Sequence, residues 1–314
     1  MRIVSLLPSA TEILFALGLD EQIVGVSHEC DTPAQARTKP VVIRSRIPPD
    51  CPSGEIDRLV WEFVSRGESL YSVDAEALEE LAPDLIITQD LCHVCAASPE
   101  DLSAALARFA KPPKVLCLNP LDLGEVWRDI LRVGEETATA ERARCLVAEL
   151  EARMSATEME VRRAPRRPRV ALLEWLDPFY VGGHWVPEMI ARAGGDDLFG
   201  RPRTPSFRIT PEQVIREAPE FLLIAPCGYS ASQARDEYLQ TAFPLGWEAI
   251  PAVREGQVFA LEASGYFSRP GPRLVEGFEA LAQLFHRAGS TGESFSSIVL
   301  PVGAEWRSAR AASG

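Results

Sequence analysis

The sequence predicts an α/β protein of two lobes built on parallel sheets, joined by one long central helix, with a ligand cleft between the lobes. Three observations carry this. The chain has 314 residues, about twice a usual single-domain length. Short apolar strand candidates alternate with helical patterns, the arrangement of parallel sheets covered by helices on both faces. One segment also recurs: Asp74-Ala75-Glu76-Ala77-Leu78 with Leu81-Ala82-Pro83-Asp84-Leu85-Ile86-Ile87 matches Thr210-Pro211-Glu212-Gln213-Val214 with Glu217-Ala218-Pro219-Glu220-Phe221-Leu222-Leu223. Each copy reads as a capped short helix, a proline-marked turn and a buried parallel strand.

The first strand is expected at residues 2–6, followed at once by Pro8-Ser9-Ala10-Thr11-Glu12, a Ser-x-x-Glu capping box in which Ser9 is the cap. The apolar run is too short for a signal-peptide core, so the chain as given reads as cytoplasmic, or as periplasmic or extracellular if a signal has been removed. Further strands are expected at 23–26, in the first repeat, and at 114–118. Residues 123–161 are rich in Glu, Arg, Ala and Leu and contain no proline, which predicts one helix of ~60 Å at ~1.5 Å per residue. Ala164-Pro165-Arg166-Arg167-Pro168 ends it. The second lobe then has strands at 170–174, in the second repeat, and at 258–261. The predicted organisation is a first lobe at 1–122, a spine helix at 123–163, a second lobe at 164–287 and a loose Ser- and Gly-rich tail at 288–314.

Composition narrows the function. Hydrophobic residues make up 46% and charged residues 25%, a globular balance. A net charge of -13 repels phosphate backbones and anionic lipid, so nucleic acid is not an expected partner. No apolar run reaches the ~20 residues needed for membrane insertion. Seven cysteines, an odd number in a long chain, do not form a disulfide framework.

Ligands of open parallel sheets bind beyond the carboxyl ends of the strands, and that is where the unusual residues fall. These segments are Ser27-His28-Glu29-Cys30-Asp31, Gln89-Asp90-Leu91-Cys92-His93-Val94-Cys95, Glu174-Trp175 through Gly183-His184-Trp185, Pro226-Cys227-Gly228-Tyr229, and Ser264-Gly265-Tyr266-Phe267-Ser268-Arg269. Two chemistries follow. His28 and Cys30 with Cys92 and Cys95 supply one imidazole and three thiols, a tetrahedral set for zinc, although such cysteines are also common as small buried hydrophobes or a redox pair. Trp175, Trp185, Tyr229, Tyr266 and Phe267 offer broad faces to a flat, partly apolar ligand, with Arg269 able to pair with its carboxylates or phosphate. His184 is a candidate axial ligand to a tetrapyrrole metal. Core packing is the competing explanation for any one aromatic. No nucleophile with an orienting partner and no phosphate-loop pattern is present.

The chain resembles the substrate-binding proteins of cobalamin and iron-siderophore ABC importers, in which two Rossmann-like lobes are joined by one helix. The marks are Val4-Ser5-Leu6-Leu7-Pro8-Ser9-Ala10-Thr11-Glu12, Val24-Gly25-Val26-Ser27, Leu81-Ala82-Pro83-Asp84-Leu85-Ile86, Gly194-Gly195, and Phe267 with Arg269, Pro272 and Arg273. It is most similar to a signal-less cobalamin-binding subgroup. The resemblance implies that Pro8, Ser9, Trp175, Tyr266, Phe267 and Arg269 line a corrinoid, and that an ABC permease or a cobalamin-using protein is the partner. Glu29 and Gln89 stand where periplasmic cobalamin binders carry aromatics. The resulting expectation is a non-enzymatic cytoplasmic carrier or sensor of a cobalamin-like ligand. The alternatives are a zinc or iron-sulfur enzyme or redox protein using His28, Cys30, Cys92 and Cys95, and a haem or iron-siderophore binder.

Overall fold

The computed structural model describes residues 1–48, 51–90, 99–164, 166–286 and 293–303. The chain divides into two compact units, Met1–Pro120 with Gly124–Glu149, and Leu121–Leu123 with Leu150–Gly314.

Unit one is a sheet of β1 (Ile3–Ser5), β2 (Ile23–Ser27), β3 (Val41–Ser45), β4 (Tyr71–Val73), β5 (Leu85–Thr88) and β6 (Lys114–Cys117), in the order β4-β3-β2-β1-β5-β6. Only β4 runs antiparallel to its neighbour. The helices are α1 (Pro8–Ala16), α2 (Ser53–Ser65), α3 (Ala75–Leu81), α4 (Pro99–Leu106), α5 (Leu123–Glu136) and the first part of α6 (Ala140–Val161), whose residues from Leu150 on belong to unit two. Every residue of β1 and β5 is buried, as expected for central strands covered on both faces. The core is aliphatic, with Val4, Leu6, Ile43, Leu78 and Ile86 together.

Unit two contains β7 (Arg169–Leu176), β8 (Phe179–Val181), α7 (Val186–Arg192), β9 (Asp196–Asp197), β10 (Phe207–Arg208), α8 (Pro211–Glu217), β11 (Phe221–Ile224), α9 (Ala231–Gln240), α10 (Pro251–Arg254), β12 (Val258–Leu261), α11 (Ala263–Tyr266), α12 (Leu274–His286), α13 (Glu293–Ile298) and β13 (Val299–Pro301). The order is β10-β8-β7-β11-β12-β13, with β9 beside β7. The strands β7, β11 and β12 are parallel. The core is aromatic: Trp247 stacks on Phe243 at 4.3 Å, meets Phe179 edge-on at 5.6 Å, and donates its indole N–H to Tyr238 Oη at 2.9 Å.

The internal repeat is real in three dimensions. Asp74 caps α3 through the Ala77 amide, and Thr210 caps α8 in a full capping box with Gln213. Ala82 and Ala218 then take the left-handed conformation at φ 40° and 49°, ending each helix so that the proline can follow. Asp84 accepts the Arg2 amide at 2.7 Å, and Glu220 accepts the Arg169 amide at 2.9 Å. The same acidic position thus ties each repeat to the start of its unit's first strand.

Three expectations change. The spine is two helices, broken at Thr137, Ala138 and Thr139. Ala138 has φ 56°, the Thr137 hydroxyl donates back to the Val133 carbonyl at 2.7 Å, and a Cβ on Gly134 would collide with the Ala143 side chain. The chain therefore turns where a glycine allows α5 and α6 to touch closely. In the region read as a loose tail, α13 and β13 are ordered, and β13 pairs antiparallel with β12. Ser9 is not a cap: Leu7 is the N-cap of α1, with no side-chain cap bond, and Ser9 is buried inside the helix.

Candidate functional site

Trp175, Tyr229, Tyr266 and Arg269 lie at or beyond the carboxyl ends of the adjacent strands β7, β11 and β12, while His184 and Trp185 follow β8. Trp175 sits near the end of β7, where its indole N–H donates to the Asp177 carbonyl at 3.1 Å. It meets Tyr229 edge-on at 5.6 Å. Tyr229 is placed by a turn after β11, with its amide on the Pro226 carbonyl, and its own carbonyl accepts the Ser264 amide from the loop after β12. Tyr266 follows at the end of α11, with the Arg273 guanidinium 5.1 Å above its ring. Trp175, Tyr229, Tyr266 and Arg269 are all half-buried, so each keeps surface for contact.

Two carboxylates hold these loops. Glu174 occupies a register shift between β7 and β8, the mark of a bulge, and accepts the Ser206 hydroxyl at 2.9 Å and the Gly183 amide at 3.3 Å. Glu262 accepts the Ala231 amide at 2.9 Å, at the start of α9, and the Ser264 hydroxyl at 3.1 Å, a favourable place for an anion. Neither had been expected as a site residue. The signal for Glu174 was a lone acidic residue inside the apolar run Val170-Ala171-Leu172-Leu173-Glu174-Trp175-Leu176.

His184 is half-buried at φ 53°, fixed by its amide on the Thr204 carbonyl at 2.7 Å. Gly183 has no room for a side chain, because the backbone of residues 204–206 packs against it. The ring lies beside Trp185, and among the described residues its Nε2 has no hydrogen-bond partner although it is buried. Burial pushes its pKa below the usual imidazole value, which keeps the ring neutral and its nitrogen lone pair available.

Four other residues take different places from those the ligand reading gave them. Trp185 is 5% and Phe267 1% exposed, and the Trp185 indole donates to the Phe267 carbonyl at 2.8 Å. Both side chains are thus buried, and the indole bond ties α7's start to the backbone after α11. Pro8 and Ser9 are buried in the first turn of α1.

The metal reading fares less well. The Cys30 thiol is buried in a hydroxyl network in unit one, with Thr11 Oγ1 at 3.0 Å and Ser27 Oγ at 3.5 Å, and Thr11 in turn donates to Ser5 Oγ at 2.8 Å. His28 is turned to the end of β3, where its Nε2 accepts the Ser45 amide at 3.3 Å. Cys92 and Cys95 lie outside the described residues. Among the described residues, no group of three His, Cys, Asp or Glu side chains could hold a metal ion, so the zinc set gains no support.

Residues 3–264, most of both units, match the family described as periplasmic binding protein. The chain belongs to this family. A relative called vitamin B12-binding protein, from Photorhabdus laumondii subsp. laumondii, is 24% identical over 293 residues, covering 92% of this chain and 90% of the relative. Among solved structures, the periplasmic heme-binding protein RhuT from Roseiflexus sp. RS-1 in apo form is 26% identical with a TM-score of 0.68, over 90% of this chain and 97% of that one. The periplasmic vitamin B12 binding protein BtuF of Vibrio cholerae is 22% identical with a TM-score of 0.66, over 90% of this chain and 96% of that one. A periplasmic binding protein is a ligand binder rather than an enzyme by family. The cytoplasmic expectation finds no support, since the family and both solved neighbours are described as periplasmic. No helix among the described residues is long and apolar enough to cross a membrane.

Proposed function

We propose that this protein binds a corrinoid of the cobalamin type and serves as a non-enzymatic carrier that delivers it to an ABC permease. The observation that carries the reading is the match, over nine-tenths of the chain, to proteins called vitamin B12-binding protein. The aromatic face supports it. Trp175, Tyr229 and Tyr266 offer rigid flat surfaces at small entropic cost, while Arg269 supplies a polar contact. His184 is the candidate cobalt ligand, having a neutral ring whose Nε2 has no partner among the described residues, and coordination requires that buried nitrogen to be uncovered.

Titration with aquocobalamin followed by visible absorption tests this, because exchange of cobalt's water for an imidazole moves the bands. The expected result is saturable binding, weakened about tenfold in Trp175→Ala, a loss of ~1.4 kcal/mol. His184→Ala is expected to bind without the band shift. Absence of saturable binding to the wild-type protein overturns the corrinoid reading. A second reading, haem, is favoured by the likeness to RhuT, a periplasmic heme-binding protein. Competition separates the two: haem displacing aquocobalamin at equal or lower concentration would make haem the ligand.

A further inference from the structure

The opposite end of unit two carries a different chemistry. Where α6 ends and the chain enters β7, a cavity of about 470 Å³ is lined by Arg162, Arg166, Arg167, Arg192, Glu158 and His286. A second cavity of about 540 Å³ adjoins it, sharing Val161, Ala164, Arg166 and His286 and adding an apolar wall of Ala282 and Phe285 beside the charged Glu160, Arg163 and Glu279. Both volumes fall in the range of small-molecule sites. The aromatic face stands at the other end of β7, where Trp175 is six residues beyond Arg169 and so ~20 Å along the strand at ~3.3 Å per residue.

Four arginines and one glutamate line the first cavity in a chain of net charge -13, and the carboxylates that pair with them, Glu158, Glu188 and Glu220, reach only Arg192 and Arg166. Arg162 follows the last turn of α6, where a cation offsets the negative end of the helix dipole. That accounts for one of the four and leaves the others crowded beside it. Arg167 is fixed by the Ala191 and Gly195 carbonyls, each at 2.6 Å. Arg192 is fixed by Glu158 and Glu188, and Arg166 by Glu220. A guanidinium has five N–H donors, so these held side chains retain donors. Among the described residues, the Arg162 side chain makes no ion pair or hydrogen bond, and it is exposed. The His286 ring closes the wall, its Nε2 3.0 Å from the Ala193 carbonyl. It packs so closely on Gly194 that a Cβ there would strike it.

We propose that this cavity binds a small phosphate-bearing molecule, with the phosphate oxygens on Arg162, Arg166, Arg167 and Arg192 and the organic part in the adjoining cavity against Val161 and Phe285. Guanidinium forks match phosphate geometry, and a multiply charged oxyanion relieves the mutual repulsion of the clustered cations. The acidic surface elsewhere disfavours long polyanions, whereas a small anion meets only the local positive field.

Calorimetric titration of the full chain with pyrophosphate and with ATP at low ionic strength tests the proposal, together with NMR of the four histidine rings. The His286 signal is assigned through His286→Gln. The expected result is saturable binding at one site, movement of the His286 signal along the same isotherm, and at least tenfold weaker binding in Arg162→Glu, which reverses an exposed charge of the first cavity. ATP binding more tightly than pyrophosphate supports the proposal with an occupied second cavity. Equal affinities overturn the placement of the organic part, leaving an oxyanion site alone. Absence of saturable binding to either probe, or unchanged affinity in the charge-reversed variant, overturns the site. Aquocobalamin binding, read separately by absorbance, is expected to be unchanged in that variant, so failure here and failure of the corrinoid reading are distinguishable.

Discussion

In unit one the strand after the repeated helix, β5, ends in Thr88 and Gln89, both buried polar residues. In unit two its counterpart β11 runs out through Ala225, Pro226 and Cys227 to the half-buried Tyr229. Up to that point the two copies share a capped helix, an alanine in the left-handed region, a proline, and an acid gripping the first-strand amide. Those shared features are what the backbone needs in order to turn and pair. The residues beyond the strand are under no such demand, and there one unit presents aromatic rings. The cores diverge in the same sense, aliphatic in unit one and aromatic in unit two.

Core truncation should expose that contrast most strongly. Trp247→Ala removes a fully buried indole with two aromatic partners and a hydrogen bond, and about 3–5 kcal/mol is expected. Leu78→Ala in unit one, also fully buried, is expected to fall lower, at about 2–4 kcal/mol. Urea unfolding measures both, and a larger loss from Leu78→Ala would refute the idea that unit two depends more on single large side chains.

Next in size is Asp129 on α5, which is 5% exposed and paired through Oδ1 with Arg132 at 2.7 Å. Among the described residues its Oδ2 lacks a partner. Burial outweighs the arginine and raises its pKa to about 6. The folded state therefore holds the proton more tightly than the unfolded chain, and stability is lost as pH rises from about 4 to about 6. Asp129→Asn should be more stable than wild type by about 1–3 kcal/mol at pH 8, with the gain vanishing near pH 3. A loss of stability at pH 8 would show that the arginine pair dominates instead.

Thr210→Ala removes the side-chain half of a capping box and should cost about 1 kcal/mol. Asp74→Ala breaks one cap bond in unit one and should cost no more; a clear reversal in denaturant midpoints would contradict the stronger capping assigned to unit two. The smallest effect is expected at Glu220, whose pKa is lowered chiefly by the Arg169 amide and further by Arg166. A lowered carboxylate contributes stability above the ordinary range and loses it as pH falls through the folded value. Glu220→Gln should cost under about 1 kcal/mol at pH 7, because the group is partly exposed, and nothing near pH 2. A pH-independent loss would point to packing rather than charge.

The repeat and the central strands could be read from residue order because their signals are local: a cap, a proline and an unbroken apolar run. Strands β8, β9, β10 and β13, of two or three residues each, are too short to show a period and depend on a neighbour for their existence. The break at Thr137–Thr139 escaped because neither threonine nor glycine forbids a helix. The turn is decided by Ala143 packing on Gly134, a contact between residues that only the fold brings together. At the candidate site the aromatic residue types are legible in the sequence, but not their division between buried and half-buried positions. Trp185 and Phe267 look as available as Trp175 in the sequence, and only burial separates them.

The strand β13 closes one side of the unit-two sheet, and it does so with Pro301 opposite Phe259. Proline has no amide N–H, so this outer edge cannot offer a complete ladder to an approaching strand from another molecule. A variant lacking β13 would bare the apolar β12, whose Val258-Phe259-Ala260-Leu261 run is a ready template for intermolecular pairing. Its first symptom is expected to be poor solubility, with clumping at concentrations the intact chain tolerates.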